Sequence, residues 1–294
     1  MGFLDSESLV KKASFLRIEA RDLAEGMKSG NFSSLYKGQG IEFSGVRDYI
    51  RGDDIRSIDW NVTARMGRPY VKIFEEEREL EIFIIMDTSA SMHLDCGNKY
   101  PTKYEAGAQA AALITIAAEI NNCPVGAVFF DGQIHFSCKP QHGRERTMLL
   151  LTHLEQPPVK KENGSVLANA LTGAYKMLHQ RALVFVISDF RSADWEKPML
   201  NLSQKNDVVA LRLTDEFDRS LPALGAVTFK DVESDLTMVL PTASQKFKKE
   251  WKNQNENMLW RWQENCIKHG ALPYVMNVSE DPLQVLSSVF GAKK

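Results

Sequence analysis

The chain has 294 residues, of which 44% are hydrophobic and 25% are charged. This balance excludes a disordered protein, because a disordered chain has too few apolar residues to form a core. With 36 Lys and Arg against 38 Asp and Glu, the formal net charge is -2. The overall charge therefore gives no reason to expect a nucleic acid or an anionic membrane as a partner.

The cysteines and the apolar runs indicate a cytoplasmic protein. The four cysteines are scattered, with no C-x-x-C pair and no His at zinc-ligand spacing, so a structural zinc site is not expected. The longest apolar runs, residues 82–86 and 183–187, are far shorter than the roughly 20 residues that span a bilayer. We expect free thiols, no secretory leader and no membrane span.

The N-terminal part predicts a helix followed by a charge-dense segment. Apolar residues recur at spacings of four and three from Leu9 to Met27, which is typical of an amphipathic helix. Residues 38–78 mix both charges with glycines and aromatic residues, and we expect short strands and turns held by ion pairs. Residues 1–77 are predicted to be an extension that packs on a main domain of residues 78–294.

From residue 80 onward, apolar strands alternate with helices. Strands are predicted at residues 80–86, 125–130, 134–137, 183–187, 208–213, 227–230, 236–240 and 274–278. Helices are predicted at residues 101–121, 145–154, 166–179, 195–205 and 244–268, with a last one that begins at Asp281-Pro282. The alternation predicts an α/β fold in which a doubly wound, mostly parallel sheet is flanked by helices. Asp131-Gly132 predicts an antiparallel hairpin between two of the strands.

Oxygen-bearing side chains follow the two most apolar strands. Asp87, Ser89 and Ser91 form a D-x-S-x-S run after the first, Asp189 follows the second, and Ser165 precedes the helix predicted from residue 166. Ligands of open α/β sheets bind beyond the carboxyl ends of the strands. Two carboxylates and three hydroxyls are hard ligands that suit Mg²⁺ or Mn²⁺. The alternative is a turn in which these side chains only cap backbone N–H groups.

This set of residues resembles the metal-ion-dependent adhesion site of von Willebrand factor A domains. The resemblance implies a Rossmann-like fold, with Ser89 and Ser91 as direct metal ligands and with Asp87 and Asp189 binding directly or through water. It also implies one open position for an acidic residue of a partner. The family usually has Thr where this chain has Ser165. Serine keeps the hydroxyl but lacks the methyl group that helps to fix the rotamer.

The segment from Glu42 to Arg78 resembles the signature of the bacterial domain of unknown function 58 family. The positions that carry this second resemblance are Arg47, Asp48, Tyr49, Asp53, Asp54, Arg56, Asp59, Trp60 and Arg65. Members of that family commonly accompany MoxR-type AAA+ ATPases, which implies a role in complex assembly, metal insertion or protein maturation. Two interpretations of the signature stay open: a structural network of ion pairs and turns, or a surface that docks a partner.

Two functions are compatible with these residues. The favoured one is a non-enzymatic module whose Mg²⁺ bridges to a carboxylate of a partner protein. The alternative is a Mg²⁺-dependent phosphohydrolase in which Asp87 attacks phosphorus, as in haloacid-dehalogenase-like phosphatases. Those enzymes use D-x-D, whereas the second position here is Ser89, which shuttles a proton poorly. A serine hydrolase is disfavoured because no G-x-S-x-G surrounds a serine.

Overall fold

The structure is a computed structural model that describes residues 41–76, 80–94, 100–157, 166–221, 223–230 and 237–290. Within these ranges the chain divides into two compact units, residues 41–76 and residues 80–290. The helix predicted over residues 9–27 lies outside the described residues.

The smaller unit is a two-stranded antiparallel sheet with a short helix. Strand β1 (Ile41–Asp48) pairs with β2 (Tyr70–Glu76), and a 3₁₀ turn (Ile55–Ser57) and helix α1 (Trp60–Met66) lie between them in sequence. Helix α1 ends at a glycine whose φ of 71° is left-handed, a conformation that side chains with a Cβ disfavour. The sequence predicted only strands and turns here, because seven residues are too few to establish a helical period.

The larger unit is built on a six-stranded sheet. Its strands are β3 (Glu81–Asp87), β4 (Val125–Phe130), β5 (Ile134–Gln141), β6 (Ala182–Ser188), β7 (Asp207–Thr214) and β10 (Ala271–Asn277). Their spatial order is β10-β7-β6-β3-β4-β5. All neighbours are parallel except β5, which returns antiparallel to β4 through the predicted Asp131-Gly132 turn. A separate antiparallel pair is formed by β8 (Ala226–Lys230) and β9 (Thr237–Pro241).

Helices cover both faces of this sheet. They are α2 (Lys103–Ile120), α3 (Arg144–Glu155), α4 (Leu167–Met177), α5 (Glu196–Ser203), α6 (Glu216–Arg219), α7 (Gln245–Lys268) and α8 (Pro282–Phe290). Successive strand residues point to opposite faces. Accordingly Phe83 and Ile85 pack into a core with residues of α4, α5 and α7, whereas Met86 faces α2. A Cβ added at Gly107 of α2 would lie 2.9 Å from Met86 Cε and 2.7 Å from Leu213 Cδ1, so α2 packs very closely on the sheet.

These observations confirm the predicted fold class, a mostly parallel α/β sheet flanked by helices. The strands at its centre, β3 and β6, are buried at every position except the first residue of β3. None of the helices in the described ranges combines the length and the apolar composition that crossing a bilayer requires.

Candidate functional site

The two central strands bring polar residues together at the carboxyl edge of the sheet. In the register of β3 and β6, Met86 is opposite Ile187, so the last residue of each strand, Asp87 and Ser188, reaches this edge at the same level. The Ser188 hydroxyl donates a hydrogen bond of 2.7 Å to Asp87 Oδ2. Asp189 follows directly. The sequence prediction that the residues after these two strands meet at one edge therefore agrees with the geometry.

The D-x-S-x-S run turns sharply after β3. Asp87 Oδ1 accepts a hydrogen bond of 2.9 Å from the backbone N–H of Ser89, and the Ser89 and Ser91 hydroxyl oxygens are 3.2 Å apart. All three side chains are buried. The first contact is the capped turn considered as the alternative for this motif, and the Ser89 side chain also hydrogen-bonds with Asp87. Both serine hydroxyls stay on the same side of the turn, within hydrogen-bond distance of each other.

The two carboxylates of the edge are electrostatically strained. Burial, together with the charge of Asp189, raises the pKa of Asp87 to about 7. Asp189 is 2% exposed. Its Oδ1 accepts a hydrogen bond of 3.2 Å from the backbone N–H of Arg191, whereas its Oδ2 is buried without a hydrogen-bond partner. Buried carboxylate oxygens are normally satisfied, so this atom lacks a hydrogen-bond donor.

Thr88 and His135 fix the turn to the neighbouring strand. The Thr88 hydroxyl donates a hydrogen bond of 3.0 Å to the carbonyl of Phe130 at the end of β4. His135 Nε2 lies 2.8 Å from the same hydroxyl oxygen. Because the one hydroxyl proton is used on the carbonyl, Nε2 is left as the donor in this contact. Burial lowers the pKa of His135, which favours the neutral ring.

A chain of charges extends from Asp189 and was not predicted from the sequence. Arg191 Nε lies 3.7 Å from Asp189 Oδ2, and a second nitrogen of the same guanidinium pairs with Asp218. Asp218 Oδ2 is 2.9 Å from Nζ of Lys103, and Asp215 Oδ2 is 3.2 Å from it. The Lys103 side chain is only 3% exposed. A buried lysine is rare unless it is paired, but no local motif reports its partners, which come from a segment more than a hundred residues later.

The structure leaves part of the predicted ligand set open. Ser165 lies outside the described residues. The next residue, Val166, donates its backbone N–H to the carbonyl of Asp131 at 2.9 Å, just after the carboxyl end of β4. Ser188 was not predicted as a site residue, although its place as the last residue of β6, opposite Asp87, was a usable signal.

The described oxygen atoms have the chemistry that a hard divalent cation requires. The edge offers the carboxylates of Asp87 and Asp189 and the neighbouring hydroxyls of Ser89 and Ser91, and one oxygen of Asp189 has no hydrogen-bond partner. These are the ligand types that Mg²⁺ or Mn²⁺ would take, and Mg²⁺ would keep several waters in its shell. Within the described ranges, no group of three or more His, Cys, Asp or Glu side chains is placed to hold a metal, so such an ion would depend on the hydroxyls.

The acidic signature residues of the smaller unit have local structural roles. Arg47 forms two hydrogen bonds of 2.7 Å with the carboxylate of Asp53, and this pair holds the pKa of Asp53 at about 2. Asp54 accepts a hydrogen bond from the N–H of Arg56 and begins the 3₁₀ turn. Asp59 accepts from the N–H groups of Asn61 and Val62 and begins α1. This matches the structural interpretation for three acids.

Four of the remaining signature residues are exposed, and the fifth, Tyr49, is half-buried. Trp60 is 65% exposed, and Arg56 and Arg65 are exposed as well. The Asp48 side chain forms an exposed ion pair with Arg68 at 3.4 Å. Tryptophan and arginine are enriched at binding hot spots. The exposed residues therefore support the docking interpretation, whereas the three acids described above support the structural one.

The larger unit is thus an open α/β sheet with acidic and hydroxyl side chains at its carboxyl edge. The chain belongs to the family described as "Protein of unknown function DUF58", whose model matches residues 45–258. This confirms the family resemblance predicted from the segment at residues 42–78. The uncharacterized proteins Mb1516 of Mycobacterium bovis and Rv1480 of Mycobacterium tuberculosis are each 30% identical to it over 235 residues, covering 79% of this chain and 74% of theirs.

Solved structures similar to this chain include two of low sequence identity. BatB from Bacteroides thetaiotaomicron is 16% identical and has a TM-score of 0.48, with 72% of this chain and 97% of that chain covered. The VWA domain of SpRpn10 is 14% identical and has a TM-score of 0.38, with 71% of this chain and 94% of that chain covered. At these identities the likeness concerns the fold alone.

Proposed function

We propose that this protein is a non-enzymatic, metal-dependent protein-binding module. In this proposal Asp87, Ser89, Ser91, Ser165 and Asp189 hold Mg²⁺ or Mn²⁺ at the carboxyl edge of the sheet. Such a cation would retain exchangeable water, and an acidic residue of a partner protein would complete its coordination. The metal supplies the positive charge that joins the two proteins, and the chain's own residues hold and orient it.

The observation that carries this proposal is the electrostatic state of the two edge carboxylates. Asp189 Oδ2 is buried without a hydrogen-bond partner, and burial and the nearby Asp189 charge raise the pKa of Asp87 to about 7. Two buried like charges destabilise each other. A divalent cation between them would reverse this penalty, so the edge is better suited to a metal-bound state than to a metal-free one.

For the partner we propose a MoxR-type AAA+ ATPase or a client protein of such an ATPase, in the cytoplasm. The resemblance to the domain of unknown function 58 family supports this part, since its members accompany such ATPases. The process would be complex assembly or protein maturation, with this protein recognising an acidic residue on the partner. We expect no nucleic-acid partner, since the formal net charge is -2 and gives no electrostatic attraction to phosphates.

A phosphohydrolase that uses Asp87 as nucleophile has less support. Its mechanism needs an ionised Asp87 and a second group that transfers a proton to the leaving oxygen. Ser89 occupies the position of that second group, and both oxygens of Asp87 already accept hydrogen bonds from Ser89 and Ser188. Metal-dependent hydrolysis of phosphoesters that is lost in Asp87→Asn would support the phosphohydrolase instead of the binding module.

The proposal predicts that Asp87→Ala abolishes capture of the partner. The purified wild-type chain is immobilised and exposed to the purified MoxR-type ATPase of the same organism, with Mg²⁺ or with EDTA. We expect capture only by the wild type and only with Mg²⁺, because both treatments remove the cation that joins the proteins.

A matched control is Asp194→Asn, which changes an exposed carboxylate in the loop that follows Asp189. Asn tolerates the left-handed backbone at this position, where φ is 59°. This variant should capture the ATPase as the wild type does. If the ATPase is still captured in the presence of EDTA and by Asp87→Ala, the proposal is wrong.

A further inference from the structure

Arg191 places a positive charge beside the carboxylate oxygen that has no hydrogen-bond partner. Its Nε is 3.7 Å from Asp189 Oδ2, which is within ion-pair range but too long for a hydrogen bond. The Arg191 side chain is 47% exposed, whereas that of Asp189 is 2% exposed. The guanidinium therefore lies at the solvent side of a buried anion.

A second ion pair holds the Arg191 guanidinium in this position. Its guanidinium pairs with Asp218, and Asp218 in turn pairs with the buried Lys103. Because Asp218 and Asp215 also bond each other's backbone N–H groups at the start of α6, this ion pair is fixed to the fold. The Arg191 guanidinium thus forms a close ion pair with Asp218 and a longer one, without a hydrogen bond, with Asp189.

The other guanidinium in this region, Arg212, is engaged differently. It lies over the ring of Trp262, 5.5 Å from the ring centroid, and its Nε is buried without a hydrogen-bond partner. Its charge also acts on Asp218 and Asp189, but the ion pair with Asp189 within 4 Å is that of Arg191. Arg191 is therefore the side chain of this part of the structure that is paired with Asp189 and also reaches solvent.

We propose that Arg191 is a built-in counter-cation that competes with the divalent metal for Asp189 and so sets the metal affinity of the edge site. This inference rests on the proposed function, because it concerns the same site. In the metal-free protein Arg191 partly neutralises Asp189. A divalent cation held by Asp189 would be repelled by the guanidinium charge, and this repulsion would weaken metal binding.

The substitution Arg191→Gln removes this repulsion. The backbone N–H of residue 191, which donates to Asp189 Oδ1, stays in place. We expect Mg²⁺ to bind about tenfold more tightly, a modest gain for such close charges because the side chain is half exposed and salt screens it. Arg191→Lys keeps the charge and should stay within about twofold of the wild type. Dissociation constants are measured by calorimetric titration with MgCl₂ at constant ionic strength.

The matched control is Lys205→Gln, which removes an exposed cation between α5 and β7, at the opposite, amino edge of the sheet. It should leave the Mg²⁺ affinity unchanged. If wild type and Arg191→Gln bind Mg²⁺ equally well, or the variant binds it more weakly, the counter-cation role is wrong while the metal site stands. If neither protein binds Mg²⁺, the proposed function fails together with this role. If Arg191→Gln binds Mg²⁺ and the wild type does not, the counter-cation role of Arg191 is supported.

Discussion

Replacing Asp87 by Asn is expected to stabilise the metal-free protein above pH 7 and to abolish its stabilisation by Mg²⁺. Burial and the charge of Asp189 raise the pKa of Asp87 to about 7, whereas an aspartate in an unfolded chain titrates near ~3.9. The folded state therefore holds this proton more tightly than the unfolded state does. The free energy of unfolding falls as the pH rises from about 4 to about 7, and it stays low above that.

The size of the effect follows from this difference between the folded and unfolded pKa. Removing the buried charge relieves its repulsion with Asp189, but the hydrogen bond from Ser188 is weakened in the Asn variant, which offsets part of this gain. We expect Asp87→Asn to be about 1–3 kcal/mol more stable than the wild type at pH 8 and nearly equal to it at pH 4. Urea unfolding with EDTA at both pH values measures this.

The same variant should lose the response to metal. Mg²⁺ raises the unfolding temperature of the wild type by binding the folded state, and it should leave Asp87→Asn unchanged. The control is Asp207→Asn, because Asp207 is also buried but is paired with Arg181 at the other end of the sheet. That substitution should destabilise the protein at pH 8. Destabilisation by Asp87→Asn as well would show that the edge carboxylates are not under electrostatic strain.

Replacing Lys103 by Met is expected to destabilise the protein strongly. Its ammonium lies between Asp215 and Asp218, and Met keeps the apolar stem while removing the charge. Breaking one side of a buried ion pair typically costs about 3–5 kcal/mol, because the remaining charge has lost its partner. We expect a loss of this size at pH 7.

The pH dependence of this loss identifies its cause. Burial opposes ionisation of Asp218, but the charges of Lys103 and Arg191 outweigh it and hold the pKa of that carboxyl below its usual range. A lowered pKa contributes stability that is present above the unfolded value, near ~4, and lost as the pH falls through the folded value. The difference between Lys103→Met and the wild type should therefore shrink below about pH 4.

Urea unfolding of both proteins from pH 3 to pH 8 tests this, with Lys176→Met as the control. Lys176 is exposed at the end of α4, where loss of a surface charge changes stability by less than about 0.5 kcal/mol. A Lys103→Met variant as stable as the wild type would mean that this cluster contributes nothing to the fold.

The fold of the larger unit could be predicted because its signals are local. Runs such as residues 82–86 and 183–187 are apolar at every position, which is typical of strands buried on both faces. Asp131-Gly132 predicted the one antiparallel return in the sheet. Helix α6 was missed, because its four residues carry no period and form around the reciprocal caps of Asp215 and Asp218.

The candidate site could be predicted only where residues follow strand ends. Asp87 and Asp189 were found because parallel strands bring their carboxyl ends to one edge. Arg191 and Lys103 could not be found in this way, because their roles depend on Asp218, which joins them from a later segment of the chain. In the signature segment, the sequence identified the family, but it could not separate acids that cap backbone N–H groups, such as Asp59, from exposed residues such as Trp60.

The proposed function requires a divalent cation bound through these oxygen ligands at the carboxyl edge of the sheet. Titration of the purified chain with Mn²⁺, with free Mn²⁺ followed by electron paramagnetic resonance, tests it most directly. One bound Mn²⁺ per chain is expected for the wild type, displaced by Mg²⁺ and lost in both Asp87→Ala and Asp189→Ala. If neither substitution changes Mn²⁺ binding, or if the wild type binds none, the proposed function is contradicted.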